Sequence, residues 1–101
     1  MKYEILREAN DELYDAAHYY EANEPGLAAR FFESYNDAIE RILEAPDASS
    51  RISRRFRRYR MSVFPYAIIY ERFPEKIRVM AVSHLHRKPF YWKVRARKPK
   101  T

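Results

Sequence analysis

At Pro46 the hydrophobic spacing of this chain changes period, and that change limits its fold more than any other feature. Before Pro46, apolar residues fall at 9, 13, 16/17 and 20, and again at 28, 31/32, 35, 38/39 and 42. Both series repeat near the helical period, which puts each on one stripe of an α-helix. The stretch "NEPG" (23–26) separates them, and Pro25-Gly26 makes a tight reversal. Two helices joined so briefly pack as antiparallel neighbours, an αα-hairpin. Glu8, Asp11, Glu12 and Asp15 crowd the first turns of the first helix, where the helix dipole favours negative charge.

After Pro46 the helical spacing stops. "ASSRIS" (48–53) reads as loop, followed by three β-like runs, "RRFRRYRMSV" (54–63), "YAIIYERF" (66–73) and "KIRVMAVS" (76–83). The last two are rich in Ile, Val and Tyr, as strands demand. Pro74-Glu75 leaves room for a tight turn only, so these two form an antiparallel hairpin. Pro65 cannot donate to a ladder and bends the chain between the first two runs. "KYEIL" (2–6) reads as a short strand ahead of the helices, and Pro89 can open a short helical segment through Arg95. The expected fold is α+β: an N-terminal strand, an α-helical hairpin, a three-stranded antiparallel sheet (β-α-α-β-β-β) and a short C-terminal helix. One domain is expected over 1–95, with a basic tail over 96–101.

Charge divides at the same place. Residues 1–50 carry 4 Lys/Arg against 12 Asp/Glu, a net of −8, whereas residues 51–101 carry 16 against 2, a net of +14. A surplus of that size suits a polyanion or an acidic partner better than mere solubility. Six arginines stand in the ten positions 51–60. In a strand, Arg54, Arg58 and Arg60 share one face and Arg55 and Arg57 the other, and all five are candidates for binding nucleic acid or a partner. The absence of cysteine excludes thiolate catalysis and zinc–thiolate sites and fits a cytoplasmic protein. No apolar stretch is long enough to cross a bilayer. No metal or cofactor is expected.

The densest chemistry is "HLHRKPFYW" (84–92). Metal-free RNA cleavage needs a base or oriented group for the 2′-hydroxyl, a cation for the crowded phosphate, and an acid for the leaving oxygen. His84 or His86 can exchange protons near neutrality. Arg87 can grip a phosphate through its fork of donors. Tyr91 can donate a proton or stack on a base. The blander assignments are a sheet-edge histidine, a solvated His86 and rings that pin the C-terminal segment.

The element order and three phrases, "ELYDAAHYYE" (12–21), "FPYAIIY" (64–70) and "VMAVSHLHRKPFYWKVR" (79–95), make the chain resemble the RelE/ParE superfamily of bacterial toxins from type II toxin–antitoxin modules. The resemblance runs from about residue 3 to 95. It implies a growth-inhibiting toxin, of the kind linked to plasmid stabilization, held in check by a cognate antitoxin protein. It also implies one of two targets. RelE-like members are ribosome-dependent endoribonucleases (mRNA interferases) that cut mRNA in the ribosomal A site; ParE-like members bind DNA gyrase and have no established catalytic residues.

The match of Tyr91 to the family's C-terminal tyrosine makes it the ring expected to face out, and under the nuclease alternative His84, Arg87 and Tyr91 would be catalytic. RelE-like nucleases commonly have arginine where this chain has Ala67 and a second one where it has Leu85, so two cationic stabilisers are missing. The resemblance therefore points first to a ParE-like toxin binding gyrase, then to the endoribonuclease, then to a non-toxic basic nucleic-acid-binding module. Whether the protein is an enzyme stays open on the sequence.

Overall fold

A computed structural model of the chain describes residues 1–97. The order is β1 (Lys2–Ile5), α1 (Arg7–Asn23), α2 (Leu27–Glu44), β2 (Ser50–Arg51), β3 (Phe56–Arg60), β4 (Tyr66–Phe73), β5 (Lys76–His84) and a 3-10 segment (Tyr91–Arg97). The α+β architecture is the expected one. Residues 98–101 of the expected basic tail lie outside the described residues.

The sheet has five strands rather than three, in the order β1-β5-β4-β3-β2. β1 lies parallel to β5, with Lys2 opposite Lys76 and Ile5 opposite Val79. Parallel partners need a crossover, and the helical hairpin is part of the long connection between them. Ser50–Arg51, expected as loop, forms a two-residue antiparallel pair with Arg57–Arg58. β3 is shorter than the expected 54–63 run because "SRR" (53–55) bends ahead of it. Val63, midway along the connection from β3 to β4, sits at φ 73, where the Phe64 N–H donates to the Ser62 carbonyl at 2.8 Å, the signature of a γ-turn.

Gly26, the only glycine, sits at φ 94 ahead of α2, a conformation that carries no steric penalty for glycine alone. The Glu21 carboxylate reaches back from α1 to accept the Gly26 and Ala28 N–H groups at 3.0–3.1 Å. It thereby satisfies donors that α2 leaves open.

Both faces of the sheet are covered, which is why β4 buries Ala67, Ile68, Ile69 and Tyr70 in succession. On one face Leu13 and Ala16 of α1 and Phe31, Tyr35 and Ile42 of α2 pack on Ile68, Tyr70, Ile77, Val79 and Val82. On the other, Trp92 of the 3-10 segment packs with Phe56, Ile69, Met80 and Ala81. The hairpin is interrupted at one point. Tyr70 pairs with Val79 but Ile69 pairs with Ala81, so Met80 is an extra residue on β5. Such a bulge inverts the alternation beyond it. Val82 and His84 consequently lie on the helix side of the sheet, where an unbroken strand from Ile77 would have placed Ala81 and Ser83.

Candidate functional site

The arginine run divides as a strand must. Phe56 packs against Trp92, with ring centroids 4.8 Å apart, so Arg58 and Arg60 share its face, away from the helices; both are exposed. Arg57 and Tyr59 point to the helix side. Arg57 is largely buried there, donating to the carbonyls of Asp47 and Ser49 at 2.9 and 2.8 Å. Arg55 forms a two-pronged pair with Glu71 at 3.0 and 3.2 Å, which holds its guanidinium firmly protonated. Of the five candidates, two are thus engaged internally. Arg54, Arg58 and Arg60 are exposed with no carboxylate partner among the described residues.

Across the sheet the register sets Arg60 opposite Ala67, and Ala67 opposite Ser83; Arg58 lies opposite Ile69, and Ile69 opposite Ala81. Ala67, Ile69 and Ser83 of these rows form the floor of a trough of about 140 Å3, walled by Arg58 on one side and by Arg87, Lys88 and Phe90 on the other. The loop bearing those residues carries Phe90 at φ 63. Phe90, not Tyr91, is the outward ring of the three: it is 41% exposed, Trp92 only 3%, and Tyr91 lies between them.

Tyr91 is turned toward α1. Its hydroxyl donates to Glu12 Oε2 at 2.6 Å, and the Arg87 guanidinium lies 3.7 Å from its ring centroid. Glu12 was legible only as a helix-dipole acid, yet it is the hub of this corner. It also accepts two bonds from Arg95, at 2.9 and 3.1 Å, and the Val82 N–H at 3.0 Å. Arg95 in turn donates to the Met80 carbonyl at 2.8 Å. β1 ends at Ile5 opposite Val79, so beyond that point β5 would present an open edge. Glu12 and Arg95 close it, supplying an acceptor and a donor where a neighbouring strand would have supplied them.

Burial, and then the Glu12 carboxylate that holds its proton, push the Tyr91 hydroxyl up to about 12. A phenol so raised stays neutral in the folded state. Its contribution to stability is intact below the ordinary tyrosine range and is lost as pH climbs toward 12. Alkaline titration followed by tyrosinate absorbance should therefore show, as the difference between the native chain and Tyr91→Phe, one phenolate appearing near pH 12. A difference signal appearing near pH 10, the unperturbed value, would mean that Glu12 does not hold this proton.

His84, carried to the helix side by the bulge, stacks edge-on against Tyr66 with centroids 5.1 Å apart. Its Nδ1 accepts the His86 N–H at 3.1 Å, which places the neutral ring's proton on Nε2. His84 and Arg87 line both the trough and a second cavity of about 290 Å3 beside Glu12, Asp15, Tyr19 and Tyr66. Tyr91 lines neither. The three sequence candidates are therefore neighbours, but Tyr91 points its hydroxyl into a closed ion-pair cluster. No group of three or more acidic or histidine side chains suited to a metal ion occurs among the described residues, and none of their helices is long and apolar enough to cross a membrane.

Known proteins share this fold. In shape, the chain is similar to the "Chromosomal ParDE TA system from P. aeruginosa", with a TM-score of 0.74 over 85% of this chain and 97% of that one at 11% identity; a likeness at that identity speaks for the fold. In sequence it is 31% identical over 75 residues to Toxin ParE2 of Mycobacterium tuberculosis, in strains CDC 1551 and H37Rv alike, covering 73% of this chain and 71% of the relative. The family model for the ParE toxin of the type II toxin-antitoxin system parDE matches residues 3–89. That span takes in the helical hairpin, all of the sheet but Lys2 and the loop that walls the trough as far as Pro89, so the chain belongs to the ParE toxin family of type II toxin–antitoxin systems.

Proposed function

We propose that this ParE-type toxin acts in the cytoplasm by binding, that DNA gyrase is its target, and that a cognate antitoxin neutralises it by covering the cationic sheet face. The observation that carries the proposal is the state of Tyr91. A general acid must release its proton to the leaving oxygen, and this hydroxyl is committed to Glu12 at 2.6 Å with its proton held more tightly than in a free phenol. With Ala67 on the trough floor and Leu85 in its wall, cations are also lacking at the two positions where nucleases of the superfamily carry arginine. What remains is surface: exposed Arg58 and Arg60 on a rigid sheet backed by acidic helices, with exposed Arg54 in the bend before β3, suited to an acidic partner.

One observation favours the ribosome-dependent mRNA endoribonuclease: His84 and Arg87 line the same two cavities. Induction in bacteria, followed by pulse-labelled protein synthesis and plasmid supercoiling, decides between the two. The gyrase reading expects supercoiling to fail first while translation continues, and expects His84→Ala and Tyr91→Phe to remain toxic. Early translation arrest with cleaved transcripts, abolished by either substitution, would replace it with the nuclease.

A further inference from the structure

We infer that the trough between β3 and the loop 85–90 is a binding site for the sugar–phosphate backbone of duplex DNA, so that the toxin touches the DNA held by its target as well as the protein. The choice of DNA over other polyanions rests on the gyrase reading; the site itself rests on geometry.

Arg58 of β3 and Arg87 and Lys88 of the loop after β5 line the trough, and Arg60, exposed two residues further along β3 on the same face, stands beside it. None of the four has a carboxylate partner among the described residues, although Glu4, Glu12, Asp47 and Glu71 each answer a cation elsewhere. Arg87 is braced over the Tyr91 ring, which orients it without neutralising it. The floor is built of Ala67 and Ile69, with Ser83 beside them. The small Ala67 and Ser83 side chains let a ridge sink between Arg58 and the loop cations.

The shape also selects the class of polyanion. An acidic peptide binds tightly through apolar anchors seated in pockets. Although Ile52, Leu85 and Pro89 also line the trough, its volume of about 140 Å3 leaves little room for such anchors, so an antitoxin covering this sheet face would seat them outside it. Single-stranded nucleic acid is gripped by bases stacking on several exposed rings. Here the trough presents one outward ring, Phe90, and Lys93 already lies 5.4 Å from its centroid. A duplex backbone needs neither pockets nor rings, only cations on a shallow rigid surface.

Fluorescence anisotropy of the full chain with a labelled duplex of about 20 base pairs tests this, because each backbone contact leaves a countable salt dependence. Four contacts predict a slope of about −3.6 for log affinity against log salt, or about 150-fold weaker binding between 50 and 200 mM salt. Arg58→Gln with Arg60→Gln should halve the slope to about −1.8 and the loss to about 12-fold. Arg30→Gln on the helix side should leave the slope unchanged, and circular dichroism checks that each variant is folded. Absence of binding at low salt, an unaltered slope in the double variant, or equal preference for polyglutamate of matched charge each overturns the site. A supercoiling assay on the same proteins separates the two proposals: gyrase inhibition without DNA binding removes this inference alone, and DNA binding without gyrase inhibition removes the gyrase reading alone.

Discussion

Replacing Glu12 by alanine should lower stability by about 3 kcal/mol, the low end of the cost of leaving one member of a buried ion pair uncompensated, because this pair is partly rather than fully buried. For a domain of this length that corresponds to a fall in Tm of about 12 to 24 °C. The magnitude follows from how little water reaches the pair: the Glu12 and Arg95 side chains are 17% and 14% exposed. The substitution also leaves the Val82 N–H without its acceptor and frees the Tyr91 hydroxyl. Glu12→Gln keeps an acceptor oxygen and should cost less. Thermal unfolding followed by circular dichroism reads all of this. A loss below about 1 kcal/mol for the alanine variant, the range of an exposed pair, would show that the corner is not the clasp described above.

Trp92→Ala should cost about 3–5 kcal/mol, as large aromatics removed from cores do. Its ring is 3% exposed and fills the sheet face opposite the helices, edge-on to Phe56 and packed with Ile69, Met80 and Ala81. Trp92 and the Glu12–Arg95 pair hold the same 3-10 segment from opposite sides of the β5 edge. Their losses should therefore be sub-additive: once one fastening is gone, the second holds a segment already loosened. Urea unfolding of both single variants and the double variant measures the coupling. Simple additivity would mean that the segment is not fastened as a unit.

Much of the fold was legible because the helical stripes and the Pro25-Gly26 reversal are local signals. The parallel placement of β1 was not, since nothing in "KYEIL" states which strand it joins across the long connection that follows. The bulge was hidden for a different reason. Val79, Met80, Ala81 and Val82 are all apolar and all buried, and a run with no polar residue cannot reveal a change of phase. That silence propagated to the site, because the phase decides which face His84 occupies.

Glu12 was read as one acid among four at a helix start, and only its contact with an open strand edge marks it out; Arg95 was read simply as the end of a helix. The arginine run was better behaved. Within β3 strand alternation split Arg58 and Arg60 from Arg57, whereas Arg54 and Arg55, expected in the same strand, lie in the bend before it. Which arginines find acidic partners depended on Asp47 and Glu71, distant in sequence.

The central claim is that the sheet face away from the helical hairpin is the working surface of the toxin. Inhibition of gyrase supercoiling by purified protein tests it most directly, comparing Arg58→Glu with Arg60→Glu on the sheet against Arg30→Glu with Arg41→Glu on α2. Reversed charge at a complementary surface costs several kcal/mol, so the sheet variant should inhibit at least about tenfold less well while the helix variant matches the native chain. A sheet variant that inhibits at the native concentration would contradict the account.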